Sequence, residues 1–179
     1  MRVALPFLLL FIGSAASARE FPGERFTRFS GFDLGRTTLA DVQARFGSSR
    51  IRESGDAGEY LAEICYAAPF GDVRFMSPEI GGGVHLLGYA IDGIKSTSDC
   101  PASRHVLPAG AAGLELGMTR RRFQSILGTH VDWTPDTGSA RFEFKTTMPS
   151  ASVDTTISII GTFRGDRLIK LVVWRIEST

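Results

Sequence analysis

Hydrophobic residues recur with helical spacing in a short segment of the first half of the chain. Leu39, Val42 and Phe46 occupy positions i, i+3 and i+7 and would share one face of a helix. Thr38, just before them, can cap the free N–H groups of the first turn, and the residue three positions after it is acidic, as in a capping box. Because Gly47 suits a helix C-terminus, the pattern predicts an eight-residue helix between Thr38 and Gly47.

The same signals return in the second half of the chain. Thr119 and Gly128 enclose eight residues in which Phe123, Ile126 and Leu127 are apolar at helical spacing. The stretches before the two helices also correspond, since GFDLGRTT and GLELGMT share a glycine, a Leu-Gly pair and a threonine. The chain therefore carries two copies of one short pattern.

Alternating or continuous apolar runs follow each predicted helix and are separated by turn-forming residues. Such runs are typical of consecutive antiparallel strands. We therefore expect an α+β fold of two tandem repeats, each a short helix followed by an antiparallel three-stranded meander, with the helices packed on one sheet face. The predicted strands are residues 59–67, 72–77 and 83–92 in the first half, and 139–147, 153–163 and 167–176 in the second.

The beginning of the chain has the parts of a secretory signal peptide. Arg2 supplies a positive charge, residues 3–12 are apolar, and Ala16-Ser17-Ala18 has the small residues of a cleavage site. The apolar run is too short for a membrane-spanning helix, and no later segment approaches that length. We expect cleavage near Ala18 and a periplasmic or secreted protein; a buried N-terminal helix is the alternative.

These features divide the chain into four regions. The segment between the two repeats has small and polar residues and contains proline, as expected for a linker. The predicted regions are a signal peptide at 1–18, the first repeat at 19–95, a linker at 96–112 and the second repeat at 113–179.

Two cysteines are present. In an oxidising compartment Cys65 and Cys100 can form only one pairing, so we expect a disulfide. Free thiols are the alternative, and a zinc site that adds His85 and His105 would match no standard ligand spacing.

Charge and motif content restrict the function classes. The net charge is +1, and removal of residues 1–18 takes away only Arg2, which leaves 19 basic and 19 acidic residues. This balance gives no electrostatic support for nucleic-acid binding. No G-x-S-x-G, H-E-x-x-H or Walker pattern occurs, and the three histidines have no acidic cluster beside them. We therefore expect a non-enzymatic protein without cofactor or metal; an undetected periplasmic hydrolase is the alternative.

The last predicted strand is apolar on both faces, although helices can cover only one. We assign Ile169, Leu171 and Val173 to the core, which places Trp174 and Lys170 on the opposite, open face. Large aromatic residues on open surfaces often anchor protein interfaces. The alternative is that Trp174 fills the seam between the repeats. The full set predicted for the open face of this strand is Leu168, Lys170, Val172 and Trp174.

A charged strand face extends this hypothesis. Arg141 and Lys145 alternate with Phe142 and Phe144, so the charged residues should face water. The predicted contact surface consists of Trp174, Lys170, Arg141 and Lys145, with Tyr60 or Tyr66 as an extension.

Arg120, Arg121 and Arg122 begin the second predicted helix. Three cations in the first turn oppose the helix dipole, each by about 0.3–1 kcal/mol when exposed. An acidic partner, a lipid headgroup or an intramolecular carboxylate could offset this repulsion, and a solvated charge run without a role is the alternative.

The succession of Leu-Gly, Thr, amphipathic helix, Leu/Phe-Gly and three strands resembles the SmpA/OmlA (BamE-like) domain family and the tandem repeats of beta-lactamase inhibitor proteins. The resemblance covers residues 31–92 and 113–176. The first half, with ICYAAPFGDVRFMSPEIGGG, also resembles exported proteobacterial proteins of this architecture. The resemblance implies a non-enzymatic protein of the bacterial envelope or exterior whose concave sheet face contacts another protein. An inhibitor and an envelope assembly factor both fit this description.

Overall fold

Twelve strands and two α-helices are assigned in a computed structural model, which describes residues 22–56, 58–94, 99–128, 131–134, 138–148 and 153–178. In the first half the elements are β1 (Arg28–Phe29), β2 (Phe32–Asp33), α1 (Leu39–Phe46), β3 (Arg52–Ser54), β4 (Leu61–Ala68), β5 (Gly71–Pro78) and β6 (Gly88–Asp92). In the second half they are β7 (Gly110–Ala111), β8 (Leu114–Glu115), α2 (Arg120–Leu127), β9 (Asp132–Thr134), β10 (Ser139–Met148), β11 (Val153–Arg164) and β12 (Arg167–Ser178). Single 3-10 turns lie at Glu24–Phe26 and Glu79–Gly81.

The predicted α+β fold class is wrong, because the described residues form a mostly β structure. Eight strands join in one antiparallel sheet with the order β3-β4-β5-β6-β12-β11-β10-β9. Each half contributes four strands to this single sheet, whereas the prediction gave each half a meander of three strands. The additional strands are the edge strands β3 and β9, which have three residues each and are too short to produce an alternation signal. Antiparallel pairing of β6 with β12 makes the sheet continuous.

The two helices have the predicted bounds. Thr38 caps α1, its hydroxyl accepts from the Asp41 N–H at 3.2 Å, and the Asp41 carboxylate accepts from the Thr38 N–H at 2.9 Å. The predicted capping box is therefore confirmed. Thr119 caps α2 in the same way, through the Arg122 N–H. Gly128 has the expected left-handed conformation, whereas Gly47 has a positive φ of 103° with an extended ψ.

The repeated Leu-Gly motif attaches the start of each helix to the backbone of its own half. The Gly35 N–H donates to the Leu86 carbonyl at 2.7 Å, and the Gly117 N–H donates to the Leu168 carbonyl at 2.8 Å. Both glycines have a φ near +83°, which side chains rarely tolerate. The motif thus places the start of α1 beside the chain that enters β6, and the start of α2 beside β12.

Both helices pack on the same face of the sheet. The ring centres of Phe46 in α1 and Phe75 in β5 lie 5.9 Å apart. Phe75 shares a cross-strand row with Tyr89 and Val173. In the second half Phe123 of α2 lies against Gly161, the partner of Leu171. The buried side chains of this face form one hydrophobic cluster that includes both halves.

The predicted disulfide is confirmed. Cys65 of β4 is bonded to Cys100, and their Cα atoms lie 5.2 Å apart. The chain after Cys100 follows the edge of β4, where the Ala67 N–H donates to the Pro101 carbonyl at 2.8 Å. Such a crosslink is typical of an oxidising compartment. The predicted signal peptide lies outside the described residues, and within them no helix is long and apolar enough to span a membrane.

Candidate protein-contact face

The sheet face opposite the helices carries the side chains that alternate with the core residues. We call it the open face and define it by Met76, Ala90, Ile160, Val172 and Trp174 with their charged neighbours. Cross-strand pairing places Ala90, Val172 and Ile160 in one row and Met76, Gly88 and Trp174 in the next. Neither of the two α-helices covers this face in the described part of the chain.

Trp174 lies at the middle of the open face, on the seam between the halves. It pairs with Gly88 of β6 on one side and with Ser158 of β11 on the other. The indole occupies the space next to Gly88 that any side chain there would fill. Gly88 does not have a positive φ, so its backbone conformation does not require glycine. Glycine is needed here because only a residue without a side chain leaves room for the Trp174 indole.

The surroundings of Trp174 are apolar and tightly packed. Met76, next to Gly88 in the same row, is 5% exposed, and Ala90 is 3% exposed. The Ser158 side chain is 1% exposed, and its hydroxyl has no hydrogen-bond partner among the described residues. Val172 is half-buried, whereas Ile176, two residues beyond Trp174, is 41% exposed. The open face therefore has an accessible apolar centre with a buried base.

Ion pairs border this apolar centre. On one side Arg74 pairs with Glu63 at 3.9 Å, across β4 and β5. At one end of the β6–β12 seam Lys170 pairs with Asp92, also at 3.9 Å. On the third side, the Glu143 carboxylate of β10 bonds two cations, which are Arg141 at 2.8 Å and Lys145 at 3.3 Å.

The structure brings four of the predicted contact residues to one face, although not into one cluster. Trp174 and Lys170 are four residues apart on β12, or about 13 Å at the rise of a strand. Arg141 and Lys145 lie on β10, two strands from Trp174, and both are exposed. The open face thus presents one aromatic residue with cations on two sides of it.

The three arginines of α2 belong to the other side of the molecule. Arg120 is half-buried, and its guanidinium lies 5.1 Å from the Trp133 ring centre and 5.6 Å from that of Phe163. Arg121 and Arg122 are exposed. The Asp166 carboxylate accepts from the Arg120 N–H at 3.1 Å, so an intramolecular acid offsets the repulsion at the start of α2.

The predicted extension through Tyr66 is wrong. Tyr66 is completely buried, and its hydroxyl donates to the Gly47 carbonyl at 2.6 Å. Burial raises the pKa of Tyr66 to about 12. Tyr60 is half-buried against the core, and a hydrogen bond with Glu53 raises its pKa.

The predicted faces of β12 hold over only part of the strand. Leu171 and Val173 are buried as expected, but Leu168 is 1% exposed and belongs to the core, whereas Ile169 is half-buried. The pairing with β11 shifts register between Thr162 and Phe163, so the alternation changes phase before Lys170. Strict period-two reasoning could not locate this irregularity.

The residues considered for catalysis or metal binding do not converge. His85 and His105 are exposed, and His130 lies outside the described residues. No group of three His, Cys, Asp or Glu side chains in the described ranges could hold a metal ion.

Sequence reasoning missed three contributors to the open face, which are Gly88, Met76 and Ile160. Gly88 had a recognisable signal, because a glycine inside an apolar strand often marks a close approach of another group. Met76 and Ile160 also had a signal, because period-two alternation places each on the strand face opposite the apolar core positions, Met76 with Arg74 and Ile160 with Ser158.

No protein-family model matches the sequence, and none of the curated proteins matches it either. Among solved structures the chain is similar to a "putative beta-lactamase inhibitor protein" from Streptococcus mutans. The match has 11% sequence identity and a TM-score of 0.29, and it covers 88% of this chain and 92% of the other. At this score the similarity carries no argument about fold or function.

Proposed function

We propose that this protein is an exported, non-enzymatic binding module that contacts another envelope or extracellular protein through the open face. The observation that carries the proposal is Trp174, which is half-buried over Gly88 at the centre of the open face. Aromatic residues in this position are the commonest energetic anchors of protein interfaces.

The distribution of polarity supports this use of the face. Protein interfaces have an apolar centre and a polar rim. Here Val172, Ile160 and Trp174 form the centre, and the ion pairs around Glu63, Asp92 and Glu143 form the rim. Rim pairs with exposed cations, such as Arg141–Glu143 and Lys145–Glu143, contribute little affinity each, but they set the orientation of a partner and the association rate.

The support beneath Trp174 also favours binding. Because the strands on both sides hold the backbone of Trp174, and because Gly88 gives the indole a flat base, few side-chain rotamers remain to be lost on association. An anchor that is already ordered loses less entropy when a partner binds.

Export to the periplasm or the exterior is part of the proposal. The Cys65–Cys100 disulfide supports an oxidising compartment, and the sequence of residues 1–18 supports a cleaved signal peptide. A partner is therefore expected among envelope or secreted proteins.

Amine-reactive crosslinking in the native envelope tests this proposal, because the chain has only three lysines. Lys145 and Lys170 lie on the open face, and Lys95 lies outside the described residues. We expect mass spectrometry to find one enriched protein joined through Lys145 or Lys170. A partner captured only through Lys95 or the N-terminus would contradict the use of the open face.

The matched variants are Trp174→Ala and Ile80→Ala. Ile80 is 63% exposed in the 3-10 turn at Glu79–Gly81, is not one of the residues that define the open face, and serves as an exposed apolar control. We expect Trp174→Ala to abolish capture although the variant is still folded at the temperature of the experiment, and Ile80→Ala to retain capture. If Trp174→Ala melts far lower and still captures the partner, Trp174 fills the seam and is not an anchor.

A further inference from the structure

Five arginines lie close together at one end of the molecule. We call them the arginine patch, which consists of Arg120, Arg121, Arg122, Arg164 and Arg167. The first three form the first turn of α2, and the other two flank the tight turn between β11 and β12.

Backbone contacts hold these two elements together. Thr119 and Arg167 form an antiparallel bridge, and the Leu168 N–H donates to the Met118 carbonyl at 2.9 Å. The Arg167 guanidinium donates to the Gly117 carbonyl at 2.9 Å. Arg164 is the cross-strand partner of Arg167 in the last pair of the hairpin. The positions of the five arginines are thus fixed by the fold and do not depend on flexible termini.

The patch has little compensating charge. Four of the five arginines are exposed, and none of the ion pairs formed within the described ranges includes any of the five. Asp166 is the acid in the hairpin turn itself, and its carboxylate already accepts the N–H of Arg120. Glu115 of β8 and Asp132 of β9 are further acids near these elements, and Asp132 is adjacent to Trp133, on which Arg120 stacks. Clustered guanidinium groups with so few acids attract anions and carry planar donors that suit carboxylates.

We propose that the arginine patch is a second contact surface, and that it binds an acidic segment of a protein partner. An anionic membrane is the less favoured surface, because reversible membrane attachment usually combines charge with inserted apolar side chains. The large exposed hydrophobic residues of the described chain lie elsewhere, and none is on α2 or in the β11–β12 turn. The patch offers charge and directional hydrogen bonds alone.

This surface is separate from the open face. Arg167 and Trp174 are seven residues apart along β12, about 23 Å at the rise of a strand, and α2 lies on the opposite side of the sheet. The inference therefore does not depend on the proposed function, and either can fail without the other.

The test uses the mature protein, a fluorescein-labelled oligoglutamate peptide and fluorescence anisotropy. We expect the wild type to bind the peptide with an affinity that falls as salt is added. Arg121→Glu/Arg122→Glu should weaken binding about tenfold or more. Arg36→Glu/Arg50→Glu is the matched control, since both arginines are exposed in the first half and the change in net charge is identical.

Three results would overturn the proposal. The first is equal weakening in the control, which would mean that binding follows net charge alone. The second is binding to phosphatidylglycerol vesicles, sensitive to the same variant, without binding to the peptide, which would assign the patch to a membrane. The third is full peptide binding by Arg121→Glu/Arg122→Glu. Thermal unfolding of each variant establishes that it is folded, and Arg164→Glu, in the hairpin turn, provides an independent replacement if the helix variant is not.

Discussion

Trp174 and Gly88 are cross-strand partners at the seam where the two halves of the sheet join, and the indole of one fills the space that a side chain on the other would need. This relationship ties the candidate anchor to the strand pairing that makes the sheet continuous. A change at either residue therefore tests both packing and the shape of the open face.

The first prediction concerns Gly88→Ala. The new methyl group would meet the six-membered ring of Trp174, so we expect the free energy of unfolding to fall by about 1–3 kcal/mol, as for other overpacked sites. Urea denaturation measures the change. In a Trp174→Ala background the same substitution should cost little or nothing, and a double-mutant cycle shows whether the two residues are coupled. Equal costs in both backgrounds would contradict the contact.

The second prediction concerns the disulfide. Cys65 and Cys100 are separated by 35 positions, and a crosslink over such a loop contributes about 3–4 kcal/mol in the chain-entropy model. Cys65→Ala/Cys100→Ala should lose that amount in urea denaturation. The wild type treated with reductant should lose a similar amount, whereas the double variant should not respond to reductant. A wild type that is insensitive to reductant under unfolding conditions would argue against the bond.

The third prediction is a pH dependence at the start of α1. Hydrogen bonds from Thr38 hold the pKa of Asp41 below its ordinary value of 3.8. A lowered folded-state pKa contributes stability above the unfolded value, and this stability is lost as the pH falls through the folded value. The advantage of the wild type over Asp41→Asn should therefore be constant at neutral pH and decrease below 3.8.

Replacing Thr38 provides the control for that pH dependence. Thr38→Ala removes the cap and should lower the free energy of unfolding by about 1 kcal/mol at neutral pH. In the Thr38→Ala background the acid-dependent difference between Asp41 and asparagine should become smaller but not vanish, because the hydroxyl is lost while the backbone N–H at position 38 still donates to the carboxylate. Thermal unfolding at a series of pH values measures both effects, and a difference that is unchanged without the Thr38 hydroxyl would assign it to other interactions of Asp41.

The fourth prediction separates the three adjacent arginines of α2. Arg120 stacks on Trp133 and Phe163, so Arg120→Ala should lower the free energy of unfolding by about 0.5–2 kcal/mol. Arg121→Ala and Arg122→Ala remove exposed cations that oppose the helix dipole and should leave stability unchanged or raise it by about 0.3–1 kcal/mol. Similar losses at all three positions would show that the arrangement around Trp133 is incorrect.

The fifth prediction concerns the acid that faces this helix terminus. Because the Asp166 carboxylate accepts the Arg120 N–H, Asp166→Ala should lower the free energy of unfolding by about 0.3–1 kcal/mol, and added salt should reduce the difference. Urea denaturation at low and high salt measures it. If stability at low salt is unchanged, this carboxylate does not offset the repulsion between the helix dipole and the cations Arg121 and Arg122.

Local signals in the sequence were sufficient for the helices and for most of the long strands. Thr38 and Thr119 begin the two helices as expected, because a hydroxyl that accepts a first-turn N–H acts within three or four residues. The disulfide could also be predicted from the sequence, because two cysteines allow a single pairing. On the open face, Trp174 and Lys170 were correctly placed together, because alternation is reliable where a strand is regular.

The sequence by itself thus determined the caps, the helix bounds, the cysteine pair and the approximate positions of six strands. Only the tertiary structure decided that β6 pairs with β12, that β3 and β9 extend the sheet, that Tyr66 is buried, and that Leu168 and not Ile169 enters the core. These outcomes depend on partners far away in the chain. Gly88 meets Trp174 across 86 positions, and no pattern within one strand specifies which strand will pair with it. The residues of the open face come from both halves, so the face could not be defined until the pairing of β6 with β12 was known.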